Sequence, residues 1–377
     1  MADVKIVEHI DDDAPYSDDA LFNINSWGAD MSFRELITMY QEDELVKPEL
    51  QRKYVWTKDE ASRFIDSILL GLPVPSIFLA KVGEQRLIID GYQRILTVYD
   101  YVRGIFSGDN KVFRLSNSEV INERWRAKAF SELSTDEQKR IKSSTIHAII
   151  FEQKQPQDDT GMYQIFERIN ASGRILKSQE IRNCVYHGKF NTFIMDLNKY
   201  PSWRTLYGNV AEDSRMADVE LVLRFFAMYN FYKDKTITIR QIALKKYLND
   251  YMSKMNKADD AMLEKYKGIF IKSMDLIKDL LGANAFRNLT KITDKKPVQE
   301  FAAAFHPAIF DAIGQAAAYI VEREIEIDRT RDFSLAHKDL LNNSDFKDYI
   351  SIRTTNVDRI RNRIGLSLQL LFGVIPE

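Results

Sequence analysis

An apolar run that ends at Asp-Gly and turns at once into a helical pattern constrains this chain more than any other stretch. It is LIIDGYQRILTVY, Leu87 to Tyr99. Leu87, Ile88 and Ile89 read as a strand, and Ile95, Val98, Tyr99 and Val102 then fall at helical spacing. Such loops are frequent in α/β domains, and this one aims backbone N–H groups and the positive end of a helix dipole at a single spot. Gln93 and Arg94 sit in the first helical turn and Asp90 at the strand end. An anion docked there meets amides, a carboxamide and a guanidinium, with a carboxylate nearby for a metal or a water. That set suits a nucleotide phosphate. The plainer reading is a tight Asp-Gly turn followed by a solvated arginine.

Bulk properties narrow the classes. A chain of 377 residues fits two domains, and 45% apolar with 29% charged residues is the balance of a globular protein with a real core. The formal net charge of −2 offers no global basic field, so contact with DNA has to come from a local patch. A single cysteine, Cys184, excludes a disulfide framework and a multi-cysteine metal site, and its place on an apolar helical face predicts burial. No apolar run reaches the length of a membrane span. The stretch from Met1 to Ala20 is acidic (Glu8, Asp11, Asp12, Asp13, Asp18, Asp19), the reverse of a secretory signal. These features predict a cytoplasmic protein with no membrane contact and a mobile acidic leader over 1–25. There is no GxxxxGK[ST] loop, GxSxG elbow or HExxH helix. His9, His147, His187, His306 and His337 are scattered singly, which supports no His-Asn-His nuclease centre.

Along the chain, Ser32 with Glu35, Thr57 with Glu60 and Ser134 with Glu137 form capping-box patterns ahead of helices. Pro48 to Trp56 reads as extended, and Ala61, Phe64, Ile65, Ile68 and Leu69 form one helical face closed by Gly71. Strands are expected at Ile77 to Ala80, Arg86 to Ile89 and Thr145 to Phe151, with a turn at Gly83-Glu84 between the first two. Met162, Ile165, Phe166 and Ile169 predict a helix stopped by Ser172-Gly173, and another begins near Ser178. From about Phe190 strand signals nearly vanish. Helical faces recur instead: Val219, Val222, Leu223, Phe226; Met262, Tyr266, Ile269, Phe270; Phe301, Phe305, Ile309; and Val357, Ile360, Ile364, Leu368. The expectation is an α+β domain over 26–190 and an all-helical domain over 191–377.

Three further motifs accompany the DGYQR turn. They are LQRKYVW (Gln51, Arg52 and Trp56 within it), IDSILLGLPVP (Ile65 to Pro75) and FERINASGRILKSQEIRN (Phe166 to Asn183). In the last, Arg168 and Asn170 close one helix, and Glu180, Arg182 and Asn183 open the next. Groups packed this densely around a turn need mutual partners, so a structural polar clasp and direct ligand contact both remain open. Together and in this order, these motifs resemble the N-terminal domain of GmrSD-type modification-dependent restriction systems, from about Trp27 to His187. The likeness is looser through SRMADVELVLRFF (Ser214 to Phe226) and RTTNVDRIRNRI near the C-terminus.

The resemblance implies a ParB/sulfiredoxin-like fold and a DGQQR turn that binds and hydrolyses nucleoside triphosphates in support of DNA restriction. Asp90, Gly91, Gln93 and Arg94 match that motif; Tyr92 replaces its usual first glutamine. Carried over, Arg94 neutralises phosphate charge, and Asp90 holds a divalent cation such as Mg2+ or orients water, these two being the catalytic candidates. Gln51, Arg52, Gly91, Tyr92, Gln93, Arg168, Asn170 and Arg182 are the other nucleotide-contact candidates, with Tyr92 able to stack on a base. Restriction members commonly carry or recruit a separate His-Asn-His nuclease, so a nuclease partner protein is implied. DNA contact is assigned to two basic patches: Arg124, Arg126 and Lys128 around Trp125, and Arg359 with Arg363, beside Arg353 and Arg361. The alternative is a non-catalytic DNA- or protein-binding module or regulator on the same fold. Oligomeric state is left open.

Overall fold

The β3–β4 hairpin and the helix that follows it set the architecture of the first half of the chain. The computed structural model describes residues 4–8, 24–46, 56–153, 160–169, 177–186, 188–290 and 298–375. The elements of this half are β1 (Ile24–Ser32), α1 (Phe33–Gln41), β2 (Leu45–Val46), α2 (Lys58–Leu70), β3 (Ile77–Val82), β4 (Gln85–Asp90) and α3 (Tyr92–Arg103). A small hairpin, β5 (Ile105–Phe106) with β6 (Lys111–Val112), precedes α4 (Thr135–Ser143), β7 (Thr145–Gln153), α5 (Thr160–Ile169) and α6 (Ser178–Val185). Five strands form a mixed sheet in the order β1-β7-β3-β4-β2: β7 pairs antiparallel with β1 and parallel with β3, β3 antiparallel with β4, and β4 parallel with β2.

Local chemistry accounts for these boundaries. The Thr57 and Ser134 capping boxes are complete, and Ser32 Oγ accepts from Glu35 N at 3.2 Å. Gly71 and Gly104 close α2 and α3 in the left-handed region. Along β7, Ile146, Ala148 and Ile150 point into the core while Thr145 and His147 face solvent, the period-2 pattern of a half-buried strand. Helices α1 to α4 pack on one another, and their apolar faces join those of β3, β4 and β7 in one core containing Leu36, Ile65, Ile77, Ile88, Val98 and Tyr101.

The second half contains α7 (Lys189–Asn198), α8 (Pro201–Tyr207), α9 (Ala217–Lys233), α10 (Leu244–Met255), α11 (Asp260–Leu281), the strands β8 (Arg287–Leu289) and β9 (Phe301–Phe305), α12 (Pro307–Glu322), α13 (Phe333–Asn342), α14 (Ser344–Ser351) and α15 (Val357–Leu366). Helices α9 and α12 are buried nearly all round, as central helices of a bundle are. Aromatic side chains of Trp203, Phe225, Phe270, Phe305 and Phe310 meet in this core. By internal contacts the chain forms two compact units: Asp18–Leu176 with Asn183–Val185, and Lys177–Arg182 with Tyr186–Glu377 and Met1–Ser17. An α/β region with a mixed sheet followed by a helical region is the architecture expected from the sequence. Among the described residues no helix is long and apolar enough to cross a membrane.

One expected helical face is wrong. Phe301 and Phe305 lie on β9, which pairs antiparallel with β8, and only Ile309 is helical. The FAAAF run has good helix propensity, but it leads to His306-Pro307. A residue before proline is pushed to extended backbone (His306 has φ −117°, ψ 103°), and Pro307 occupies the first turn of α12. The helix therefore starts after the run, and the run pairs as a strand. Met262, expected on the apolar face of α11, is exposed, whereas Tyr266, Ile269 and Phe270 are buried. Cys184 is buried, as its helical face predicts.

Candidate functional site

Gly91 is where β4 becomes α3, and nothing but glycine fits there. Its φ is +103°, and a Cβ at this position would stand 2.2 Å from Ile77 Cγ2. The close approach of β3 at Ile77 thus dictates the glycine, and the tight turn brings two charged side chains together beside it. Arg94 reaches back from α3: Nη1 donates to the Ser76 carbonyl at 2.7 Å and Nη2 to Asp90 Oδ2 at 3.2 Å. The Arg94 side chain is 18% exposed and that of Asp90 42%. An ion pair this open adds at most about 1 kcal/mol to stability. Its structural effect is to orient the guanidinium, which has five N–H donors in a fixed fork and uses two of them here. A fixed guanidinium, an accessible carboxylate and a helix N-terminus share one corner.

The two residues between them do different work. Gln93 Oε1 accepts from Trp56 N at 3.3 Å, and the Trp56 ring packs edge-on against Phe64 of α2 at 5.6 Å. Gln93 therefore anchors the end of the LQRKYVW segment beside α3. Gln51 and Arg52 of that segment lie outside the described residues. Tyr92 corrects an expectation: it is 7% exposed and part of the core, not a platform for a base. Burial, with Tyr40 of α1 alongside, pushes its hydroxyl well above the usual tyrosine range. A side chain one residue past Gly91 points inward under α1, so the departure from DGQQR alters the core side of the turn.

The third motif also divides. Arg168 is exposed in the last turn of α5, and Asn170 lies outside the described residues. Arg182, expected at the nucleotide, is buried and fully engaged: it pairs with Glu220 at 2.8 Å and donates to Asn249 Oδ1 at 2.7 Å and to Gln179 Oε1 at 3.2 Å. Glu180 pairs reciprocally with Arg215 at 2.7 Å. The clasp reading is the right one for this pair of residues. Its charged partners, Arg215 and Glu220, come from SRMADVEL, the stretch that the sequence also singled out.

The proposed DNA patches are depleted in the same way. Trp125 is buried, and its indole donates to Asp66 Oδ1 at 2.6 Å, so no base can stack on it. Arg126 is tied to the carbonyls of Ile121 and Glu119. Arg124 is 71% exposed but pairs with Glu137 at 2.9 Å, and Lys128 is half-buried. Arg363 is fully buried, donating to Asp311 Oδ2 at 2.9 Å and to the Thr354 carbonyl at 2.7 Å; it is a core strut. Arg359 pairs with Asp348 at 2.7 Å and lies over the Tyr349 ring. Helical spacing alone placed Arg359 and Arg363 on one face; the carboxylate Asp311, far away in sequence, draws Arg363 inward.

With the geometry of the turn in place, the comparison with known families decides what the first half of the chain is. Residues 33–187 match the family described as the GmrSD restriction endonuclease, N-terminal domain. This segment is a GmrSD-type N-terminal domain. The match covers all of α1 to α6 and includes the DGYQR turn, the Pro73 to Pro75 segment and the Phe166 to Asn183 motif. The match concerns residues 33–187 and a family described by a restriction endonuclease. No curated protein matches the chain.

Proposed function

We propose that the GmrSD-type domain binds a nucleoside triphosphate at the DGYQR turn and hydrolyses it, and that this event controls what the protein does with DNA or a partner nuclease. The observation that carries the reading is the Arg94 guanidinium, fixed by Ser76 and Asp90 at the N-terminus of α3. Phosphate transfer needs positioning and charge stabilisation more than covalent chemistry from the protein, and a pre-oriented fork beside helix N–H groups supplies both. Arg94 holds the phosphates, the backbone after Gly91 lies against them, and Asp90 orients the attacking water or contributes to a Mg2+ site. Among the described residues no group of three or more His, Cys, Asp or Glu is placed to hold a metal. One carboxylate plus phosphate oxygens is a usual way for Mg2+ to be held, so the donor set fits that ion in the company of its nucleotide. When bound, Mg2+ would screen the phosphate charge. Gln93 holds Trp56 beside the same corner.

The test is phosphate release from each of the four nucleoside triphosphates, with and without DNA, and a direct binding measurement on the same samples. Arg94→Ala is expected to weaken triphosphate binding at least tenfold and to abolish release, as loss of a charged phosphate contact does. Unchanged affinity and turnover in Arg94→Ala would remove the assignment. Binding without release would identify a non-catalytic module on the same fold.

A further inference from the structure

We propose that the nucleoside of the triphosphate lies along the sheet face beside the DGYQR turn, over Phe78 and Ile149, with His147 hydrogen-bonding its base. The inference rests on the triphosphate reading of that turn and adds the part of the site that selects the base. Strand register brings the residues together. The β3–β4 ladder pairs Leu79 with Ile88 and then Phe78 with Asp90, so β4 carries one extra residue there, a β-bulge. Plain alternation would put Asp90 on the face of Ile88, which lies in the core. The bulge breaks that alternation and leaves the Asp90 side chain 42% exposed. Phe78 pairs in turn with Ile149 of β7, and Ile149 with Gly28 of β1. Asp90, Phe78, Ile149 and Gly28 therefore form one row across four strands, about 14 Å long at a strand spacing of about 4.8 Å. An extended nucleoside triphosphate has a similar reach from its phosphates to its base.

The middle of the row is apolar and the far end is polar and oriented. Ile77, Leu79, Ala148 and Ile150 belong to the core, whereas Phe78 and Ile149 alternate with them and are only half-buried. Among the described residues no ring or cation packs on Phe78. Gly28 is exposed, and a Cβ there would stand 2.7 Å from His147 Cε1 and 2.9 Å from its Nε2. The absent side chain is what lets the imidazole lie against β1. Asp30 fixes it from the other side, with Nδ1 at 2.8 Å from Asp30 Oδ1. An ionised carboxylate only accepts, so the proton sits on Nδ1 and Nε2 is left as an acceptor, with no hydrogen bond of its own among the described residues. The two side chains are 50% and 71% exposed, and a pair that open contributes little stability. Its effect is to orient the ring. Ser76, whose carbonyl fixes Arg94, stands two residues before Phe78, so one strand carries both ends of the site. Phosphates at Arg94, a flat ring on Phe78 and Ile149, and a base N–H at His147 Nε2 use every one of these groups.

Calorimetric titration of the full-length protein with each nucleoside triphosphate, and with inorganic tripolyphosphate as a probe that has no nucleoside, tests this. Phe78→Ala is expected to weaken all four nucleoside triphosphates by about tenfold, the loss of one ring-on-base contact, and to leave tripolyphosphate as it was. His147→Ala is expected to weaken the preferred triphosphate by about tenfold and to narrow its lead over the others, again without effect on tripolyphosphate. Gly28→Val, which drives the imidazole off β1 from an exposed strand position, should reproduce His147→Ala at an unchanged melting temperature. Arg94→Ala, by contrast, should weaken nucleotide and tripolyphosphate alike. If Phe78→Ala, His147→Ala and Gly28→Val all stay within twofold of the parent for every nucleotide, the base assignment is overturned and the phosphate site at the turn stands. Equal losses for nucleotide and tripolyphosphate in these variants would also overturn it, by showing damage to the turn itself. A parent protein that binds neither probe would overturn the base assignment together with the triphosphate reading.

Discussion

Replacing Asp311 by Asn should cost the helical unit about 3–5 kcal/mol, and the reason lies in how three helices share one carboxylate. Asp311 of α12 is wholly buried. Arg224 of α9 donates to both of its oxygens, at 2.8 and 2.7 Å, and Arg363 of α15 adds a bond at 2.9 Å. Two guanidiniums thus share this one carboxylate in the buried interior. Asparagine preserves the shape but removes the charge and turns an N–H group toward one of the cations, which leaves buried positive charge uncompensated. Against a typical total stability of about 5–15 kcal/mol, this is a large fraction. Urea unfolding followed by far-UV circular dichroism should show the midpoint falling by about 1–5 M, given slopes of about 1–3 kcal/mol/M. Amide exchange should accelerate first in α9, α12 and α15. Exchanging all three residues for apolar ones of similar volume (Arg224→Met, Asp311→Leu, Arg363→Met) should be far milder than Asp311→Asn alone, because no charge is then left unpaired. An Asp311→Asn protein within 1 kcal/mol of the parent would refute this account and reopen Arg363 to a role at the surface.

Three other expectations follow from the same structure. Gly91→Ala should destabilise by about 3 kcal/mol, combining the positive φ with the contact against Ile77, whereas Gly83→Ala, with positive φ but open space around it, should cost only about 1 kcal/mol; matched thermal melts would compare them. Burial lowers the His337 imidazole to about 4, so the unfolded chain takes up a proton between pH 6.5 and 4 that the folded chain refuses. Stability should therefore fall by up to ~3 kcal/mol as pH drops through that window, and a urea series against pH should find the slope reduced in His337→Gln. Arg182→Met should destabilise the helical unit by about 2 kcal/mol while leaving triphosphate affinity as it was; a matching loss of affinity on isothermal titration would return Arg182 to the nucleotide site.

Local signals determined much of this protein before any coordinates. Capping residues, helix-closing glycines and period-2 or helical spacing located the strands β3, β4 and β7 and the helices around them, because each depends on residues a few positions apart. The Asp90–Arg94 pair was legible for the same reason, being four residues apart across one turn. Its third partner was not: the Ser76 carbonyl is a backbone atom, and no residue type marks which carbonyl a side chain will find. The β8–β9 hairpin was hidden because FAAAF has helical propensity and its partner, the three-residue β8, carries too short a pattern to read as a strand.

What only the tertiary structure decided was the fate of the long cationic side chains. Arg124, Arg182, Arg359 and Arg363 look alike in sequence, as polar residues on helical faces or in loops. Glu137, Glu220, Asp348 and Asp311 give each a different end, from exposed ion pair to buried strut. Spacing along a helix says which residues share a face, but burial depends on which distant carboxylate that face meets. Charge at a surface and charge in a core follow the same local rules until the chain has folded and one of them has lost its water.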